Sequence, residues 1–180
     1  VIVVAAAGNG NNGPSCPDAN GCSNGYCYPA SYDHVISVTG VCSLFDYGTG
    51  SGGTKFNWKD VHVFDGNKPT GYKYWTHNDK VDISAPGWTN YTTDYTSNTS
   101  YTSKGGTSFA APVVSGAIGL LLSINPCFSP DDIEYIIKST SHYIDGITEN
   151  QEFAGTLGAG RLDAEAACSL ATAWAGDHVI

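Results

Sequence analysis

Residues 105–122 read Gly105-Gly106-Thr107-Ser108-Phe109-Ala110-Ala111-Pro112-Val113-Val114-Ser115-Gly116-Ala117-Ile118-Gly119-Leu120-Leu121-Leu122. After Ser108 almost every residue is apolar or small and Pro112 stands near the start, so a central helix buried on all sides is expected from Thr107 onward. Gly116 and Gly119 each weaken such a helix by about 1 kcal/mol relative to alanine. Burial against closely approaching strands must outweigh that cost. Two glycines at the head allow a sharp approach, and they leave Ser108 at a helix N-terminus whose N–H groups are unsatisfied and partially positive. A serine there is most commonly a plain cap. It becomes a nucleophile only where a base takes its proton and preorganised donors receive the oxyanion it creates.

Working outward, Val1 to Ala7 is a continuous β-branched and small apolar run that stops at Gly8-Asn9-Gly10, the pattern of a fully buried parallel strand. Val35 to Val41 repeats it. Val81 to Ala85 is a shorter strand closed by Pro86-Gly87, and Tyr91 to Ser103 alternates Tyr and Thr as a hairpin does. Ser129-Pro130-Asp131-Asp132 supplies an N-cap, a proline at N1 and acidic first-turn residues for a helix reaching about Thr140. A last helix runs from Asp163 to about Trp174. Buried strands interspersed with helices predict an α/β fold, a mostly parallel sheet with helices on both faces. Cys42 to Lys80, aromatic and polar, reads as an insertion of short strands and loops that packs on itself, with a substrate-binding flap as the alternative. The Asn-x-Thr/Ser sequons at Asn90 and Asn98 lie in an Asn/Thr-rich region and are assigned no role.

At 180 residues the chain has the size of one domain. Its net charge of −9, with eight Lys and Arg and no basic run, lacks the footprint that binds phosphate backbones, so nucleic acid is not expected as a partner. The longest apolar stretches, Val1 to Ala7 and Phe109 to Leu122, are too short or too rich in Gly, Ser and Pro for a membrane span. Val1 already sits inside an apolar run with no Met, basic region or cleavage-like site before it, and the expectation is a chain that begins mid-fold. The cysteines, Cys16, Cys22, Cys27, Cys42, Cys127 and Cys168, are even in number with no C-x-x-C pair, which favours disulfides over zinc. Among about 15 connectivities, Cys127 with Cys168 is the expected pair, because each follows a helical pattern. Any such bridge implies an oxidising compartment: secreted, periplasmic or cell surface.

Five stretches, in order along the chain, carry a family resemblance. Gly106-Thr107-Ser108-Phe109-Ala110-Ala111-Pro112 is similar to the Gly-Thr-Ser-x-Ala-x-Pro nucleophile motif of subtilisin-like serine proteases. Ala5-Ala6-Ala7-Gly8-Asn9 resembles that family's oxyanion-asparagine strand end. Tyr28-Pro29-Ala30-Ser31-Tyr32 with Val35-Ile36-Ser37-Val38 resembles its next strand, Val81-Asp82-Ile83-Ser84-Ala85-Pro86-Gly87 the segment after that, and Gly158-Ala159-Gly160-Arg161-Leu162-Asp163 its closing turn. Together they span about two-thirds of the chain. The resemblance implies a three-layer subtilisin-like fold in which Ser108 is the nucleophile and the Asn9 amide, with the Ser108 N–H, binds the tetrahedral oxyanion. It implies Thr107 as a further hydroxyl donor, Ala6, Ala7 and Gly8 as one wall of the substrate pocket, and Cys27 near its floor, where the family often has Gly. Peptide or protein is then the substrate. No cofactor is required, and the family's structural calcium has the Ala30 to Val35 loop as its candidate site, although carbonyl ligands leave no side-chain signature.

In this family the acid and the histidine precede the asparagine, in the order Asp, His, Ser. None of His34, His62, His77, His142 and His178 lies in a His-Gly-Thr-like context. The triad's base and acid are therefore expected on a missing N-terminal half, with residues 1–180 the C-terminal portion of the catalytic domain, carrying an insertion at about 42–80 and inactive alone. Two alternatives stay open. An α/β-hydrolase-type esterase would use Asp131 or Asp145 with His142 or His178 after Ser108, although Gly106-Thr107-Ser108-Phe109-Ala110 lacks the elbow's final glycine. An inactive, protease-derived binding module would share every motif.

Overall fold

The computed structural model describes residues 1–9, 25–42, 63–64, 73–88 and 90–177. Most of the 42–80 insertion, together with Cys16, Cys22, His62 and His178, lies outside the described residues. In chain order the strands are β1 (Val3–Ala6), β2 (Val35–Val41), β3 (Val63–Phe64), β4 (Lys73–Tyr74), β5 (Ile83–Pro86), β6 (Asn90–Thr93) and β7 (Tyr101–Lys104). The β1, β2 and β5 strands form a parallel sheet in the order β1-β2-β5, with Ala6 beside Val38 and Val38 beside Ile83. The β3–β4 and β6–β7 pairs are antiparallel, the second being the hairpin expected from the Tyr/Thr alternation. Helices α1 (Thr107–Ile124), α2 (Pro130–Ser139) and α3 (Ala164–Asp177) complete the regular structure, with a 3-10 helix over Thr148–Phe153.

Strand alternation sorts the two sheet faces. Ile36, Val38, Ile83 and Ala85 join Ala110, Val114, Ala117, Ile118 and Leu121 of α1, Ile133, Ile136 and Ile137 of α2, and Ala167 and Ala171 of α3 in one core. Ser37, Thr39, Val41 and Ser84 point the other way. There Val41 packs with Ile144, Phe153 and Leu157, and Ser84 Oγ donates to Leu157 O at 2.8 Å. Three layers result: the α-helices, the sheet, and the segment that carries the 3-10 helix.

Local chemistry sets the helix ends. Ser129 Oγ accepts from Asp132 N and Asp132 Oδ2 accepts from Ser129 N, a reciprocal capping box that starts α2 at Pro130. Lys138, near its end, donates to Asp82 Oδ1 at 2.9 Å and Glu134 Oε1 at 3.0 Å, tying α2 to the segment entering β5. Asp163 Oδ1 accepts from Ala166 N at the start of α3. Between these helices the turn at 158–162 docks along β5: Ala159 N donates to Asp82 O, Ser84 N to Gly160 O, and Leu162 N to Ser84 O.

Three expectations need correction. Helix α1 is not buried on all sides: Val113 is 39% and Leu120 54% exposed, and a Cβ on Gly116 or Gly119 would meet nothing within 4 Å. Those glycines therefore do not serve close strand packing, and the helix is held by its opposite face, where burying each of Val114, Ile118 and Leu121 is worth about 1.5–3 kcal/mol. By length and composition alone α1 could also cross a membrane, yet here it is the core helix between the sheet and α3. Among the described residues β1 is an edge strand, only partly buried, with Val3 42% exposed. Cys127 and Cys168 are free thiols rather than a pair: Cys127 is exposed in the α1–α2 connection, while Cys168 packs partly against the core from α3.

Gly158 tests the docking of the closing turn. Its φ is +73°, and a Cβ would collide with the Asp82 carbonyl and the Ile83 nitrogen. Gly158→Ala is expected to destabilise the protein by at least about 2 kcal/mol in urea unfolding, because left-handed strain and a backbone clash act together.

Candidate active site

Parallel strands deliver their C-terminal ends to one edge of the sheet, the usual place for a site in open α/β folds. Strand β1 ends there in Ala7-Gly8-Asn9. Ala7 N donates to Val38 O at 2.8 Å, and Thr76 N donates to Gly8 O at 2.8 Å. Gly8 turns the chain with φ +111°, and a Cβ there would stand 2.7 Å from both Cys27 Sγ and Thr76 Oγ1, so only glycine fits. Cys27 is disulfide-bonded. Ala6, Ala7, Gly8 and Cys27 thus lie in one wall, with Ala7 buried and the other three partly exposed.

The head of α1 arrives at the same edge from β7. Gly106 N donates to Gly87 O at 2.7 Å, just past β5, and Gly87 N donates to Val41 O at 2.9 Å at the end of β2. Gly106 is the N-cap residue with φ +139° and contributes no capping side chain. Asn9, 98 positions before Thr107, takes that part: its Oδ1 accepts from Thr107 N at 2.8 Å and from Thr107 Oγ1 at 3.1 Å. Thr107 Oγ1 in turn accepts from Gly8 N at 3.2 Å. Phe109 N and Ala110 N both reach Gly106 O. Of the four N–H groups that the helix start leaves over, only that of Ser108 has no acceptor among the described residues.

This arrangement fixes the orientation of the Asn9 amide. A backbone N–H can only donate, so the atom facing Thr107 must be the oxygen. The Asn9 Nδ2, which has no acceptor among the described residues, is left as a donor beside Gly106, whose Cβ, if present, would stand 3.3 Å from it. Ser108, next along the chain, is exposed, and its Oγ makes no hydrogen bond to a described residue. An amide donor, a main-chain N–H and a hydroxyl therefore share the junction between the β1 turn and the α1 head.

Thr107 differs from its expected part. It is fully buried, and its one hydroxyl proton is directed at Asn9, so it positions the asparagine rather than facing substrate. No described histidine contacts Ser108. His34 lies in a turn with φ +64°, the His77 ring meets Phe153 edge-on at 4.7 Å, and the His142 backbone pairs with Arg161. Asp145 Oδ2 accepts from Gly155 N at 2.7 Å, a turn staple, so the esterase arrangement finds no relay in the described residues. Sequence reading missed Thr76, which anchors Gly8. It also missed Asn90, whose Nδ2 donates to Pro86 O at 2.9 Å and Phe109 O at 3.0 Å, fastening the hairpin to α1. Neither has a local signal, since each acts on a partner distant in the chain.

The calcium candidate was the 30–35 loop. Its only carboxylate, Asp33, is paired with Lys80 Nζ at 2.9 Å. Three carbonyls of that loop and its approach, those of Cys27, Pro29 and Tyr32, accept from Ser31, Tyr32 and Val35 N–H groups. Among the described residues no group of three or more His, Cys, Asp or Glu is placed to hold a metal. The loop's one carboxylate and these three carbonyls are therefore already engaged by protein donors.

At the C-terminal edge of a parallel α/β sheet, a serine-headed helix thus faces an asparagine strand end. The chain matches the model of the Subtilase family over residues 1–173 and belongs to that family. It is 34% identical to subtilisin DY of Bacillus licheniformis over 141 residues, covering 78% of this chain and 39% of the relative. It is 32% identical to a calcium-dependent protease of Nostoc sp. (strain PCC 7120 / SAG 25.82 / UTEX 2576) over 177 residues, 94% of this chain and 24% of that one. In fold it is similar to fervidolysin from Fervidobacterium pennivorans, with a TM-score of 0.63 at 24% identity, covering 94% of this chain and 22% of that structure. The chain spans well under half the length of each.

Thr107→Val keeps the side-chain volume but removes the hydroxyl shared by Asn9 and the Gly8 N–H. The variant is expected to lose about 1–3 kcal/mol in urea unfolding, and the Asn9 side-chain amide protons should broaden or shift by NMR.

Proposed function

We propose that this chain is the nucleophile-bearing part of a serine endopeptidase that hydrolyses peptide bonds through an acyl-enzyme on Ser108. Membership of the subtilase family supports serine protease chemistry. The observation that carries the finer reading is the bond from Thr107 N–H to Asn9 Oδ1, which leaves Asn9 Nδ2 and the Ser108 N–H as donors with no acceptor among the described residues. In this reading Ser108 Oγ attacks the scissile carbonyl carbon while a base takes its proton. The carbonyl oxygen becomes an oxyanion held by Ser108 N–H and Asn9 Nδ2. Collapse expels the amine, which takes a proton from the conjugate acid of the base, and water then releases the acyl group by the same route. These steps need no cofactor. Ala6, Ala7, Gly8 and Cys27 form a wall for the substrate side chain before the scissile bond, and Thr107 holds Asn9 in place.

The base and acid come, in this proposal, from a segment that precedes Val1 in the family's order Asp, His, Ser. Apolar surface supports its docking here: Val3, Val113 and Leu120 are exposed, and the side of β1 that has no partner among the described residues adjoins a groove of about 460 Å³ lined in part by Ile2, Val4 and Leu122. The disulfide at Cys27 supports an oxidising location, and we read the protein as secreted.

Fluorophosphonate labelling tests this reading. The 1–180 chain alone is expected to label poorly, the chain with its upstream half strongly, and Ser108→Ala not at all. Asn9→Ala should lower kcat by about 10²- to 10³-fold, the loss known for removing one such donor in subtilisin. Robust labelling of the 1–180 chain by itself would favour the esterase, and no labelling with the upstream half present would favour the binding module.

A further inference from the structure

The segment entering β2 and the segment entering β5 are joined at three points. Asn78 Nδ2 donates to Gly25 O, Tyr26 Oη donates to Asp79 Oδ1, and Lys80 Nζ donates to Asp33 Oδ1 at 2.9 Å. A tight turn presents the lysine, since Asn78 Oδ1 accepts from Lys80 N at 2.8 Å and Asn78 O from Val81 N at 3.2 Å. Around the ammonium stand two carboxylates. Asp33 bonds it directly, and Asp79 adds to the field that raises the lysine's pKa. In return, the hydrogen bond and charge of Lys80 hold the Asp33 carboxyl below the usual carboxylate range.

The pair is exposed, 43% for Lys80 and 80% for Asp33, so its contribution to global stability is small. Its interest lies in where it stands. Calcium in a protein gathers six to eight oxygens, carboxylates and carbonyls. In this loop the one carboxylate is already neutralised, and a lysine ammonium, which can only donate, takes the place beside it.

We propose that Lys80 is a tethered cation standing in for calcium at the 30–35 loop, so that this part of the fold is held without metal. The two segments it joins both lead to Gly8: one through Cys27, which adjoins the Gly8 Cα, the other through Thr76, whose N–H donates to Gly8 O. The lysine thus steadies the wall beside Asn9 from outside the site. The inference stands apart from the protease mechanism, because it concerns what holds the loop and not what Ser108 does.

Hydrogen exchange read by mass spectrometry on peptides covering residues 25–35 and 76–80 of the intact protein tests it. Wild type is expected to exchange at the same rate in EDTA and in excess calcium chloride. In EDTA, Lys80→Ala should speed exchange in these peptides about threefold, with α2 peptides unchanged, and Lys80→Arg, which keeps the charge, should match wild type. Slowing of the wild-type loop by calcium would overturn the proposal. So would an unaltered loop in Lys80→Ala, or loosening in Lys80→Arg equal to that in Lys80→Ala.

Discussion

The 2.8 Å hydrogen bond from Thr107 N–H to Asn9 Oδ1 joins the turn after β1 to the first residue of α1, 98 positions apart, and the geometry of the candidate site follows from it. It supplies the helix with a cap that Gly106 cannot give. It also settles which end of the Asn9 amide faces outward. Gly106 is confined to glycine by its φ of +139°, and Gly8 by its own φ and by Cys27 and Thr76. Backbone positions that admit no side chain thus flank the bond on both sides. A helix start of this kind has few free donors, and capping from a distant strand leaves, among the described residues, only the one belonging to the serine.

The parallel sheet makes that encounter possible. The β1, β2 and β5 strands run the same way, so Gly8, Cys42 and Gly87 emerge at one edge, and α1 returns beneath them with its N-terminus at that edge. Gly87 connects the pieces: its N–H donates to Val41 O and its carbonyl accepts from Gly106 N. The hairpin between β5 and α1 is pinned by Asn90 to Pro86 and Phe109, which sets the approach of the Gly105-Gly106 pair. Farther out, Lys80 and Asp33 hold the loops behind the Gly8 wall. The candidate site is therefore positioned by a chain of mostly backbone contacts, with the side chains of Asn9, Thr107 and Ser108 gathered at one junction.

Much of this was legible because the relevant signals are local. Val35–Val41 is a strand with the bounds its β-branched run announces, and Ser129-Pro130-Asp131-Asp132 starts a helix because cap, proline and carboxylate act within one turn. Motif alone singled out Ser108 and Asn9, and the structure brings the turn of one to the helix head of the other. Burial was less so. An apolar run records that a surface is destined to be covered, but not by which atoms, so β1 and α1 read as fully buried while each keeps an exposed face. Thr107 was taken for a substrate-facing hydroxyl because its partners, Asn9 and Gly8, lie about a hundred residues away. The same holds for the Cys127–Cys168 pairing, since helical flanks say nothing about separation in space.

The central claim is that Asn9 Nδ2 and Ser108 N–H point at one spot beside the Ser108 hydroxyl. A crystal structure of the protein, assembled with its upstream half and carrying a peptidyl boronate on Ser108, measures this directly. The account predicts one boronate oxygen within about 3 Å of both nitrogens, with Asn9 Oδ1 still bound to Thr107 N–H. A boronate oxygen directed away from Asn9, or an asparagine amide turned so that its oxygen faces the boronate, would contradict it.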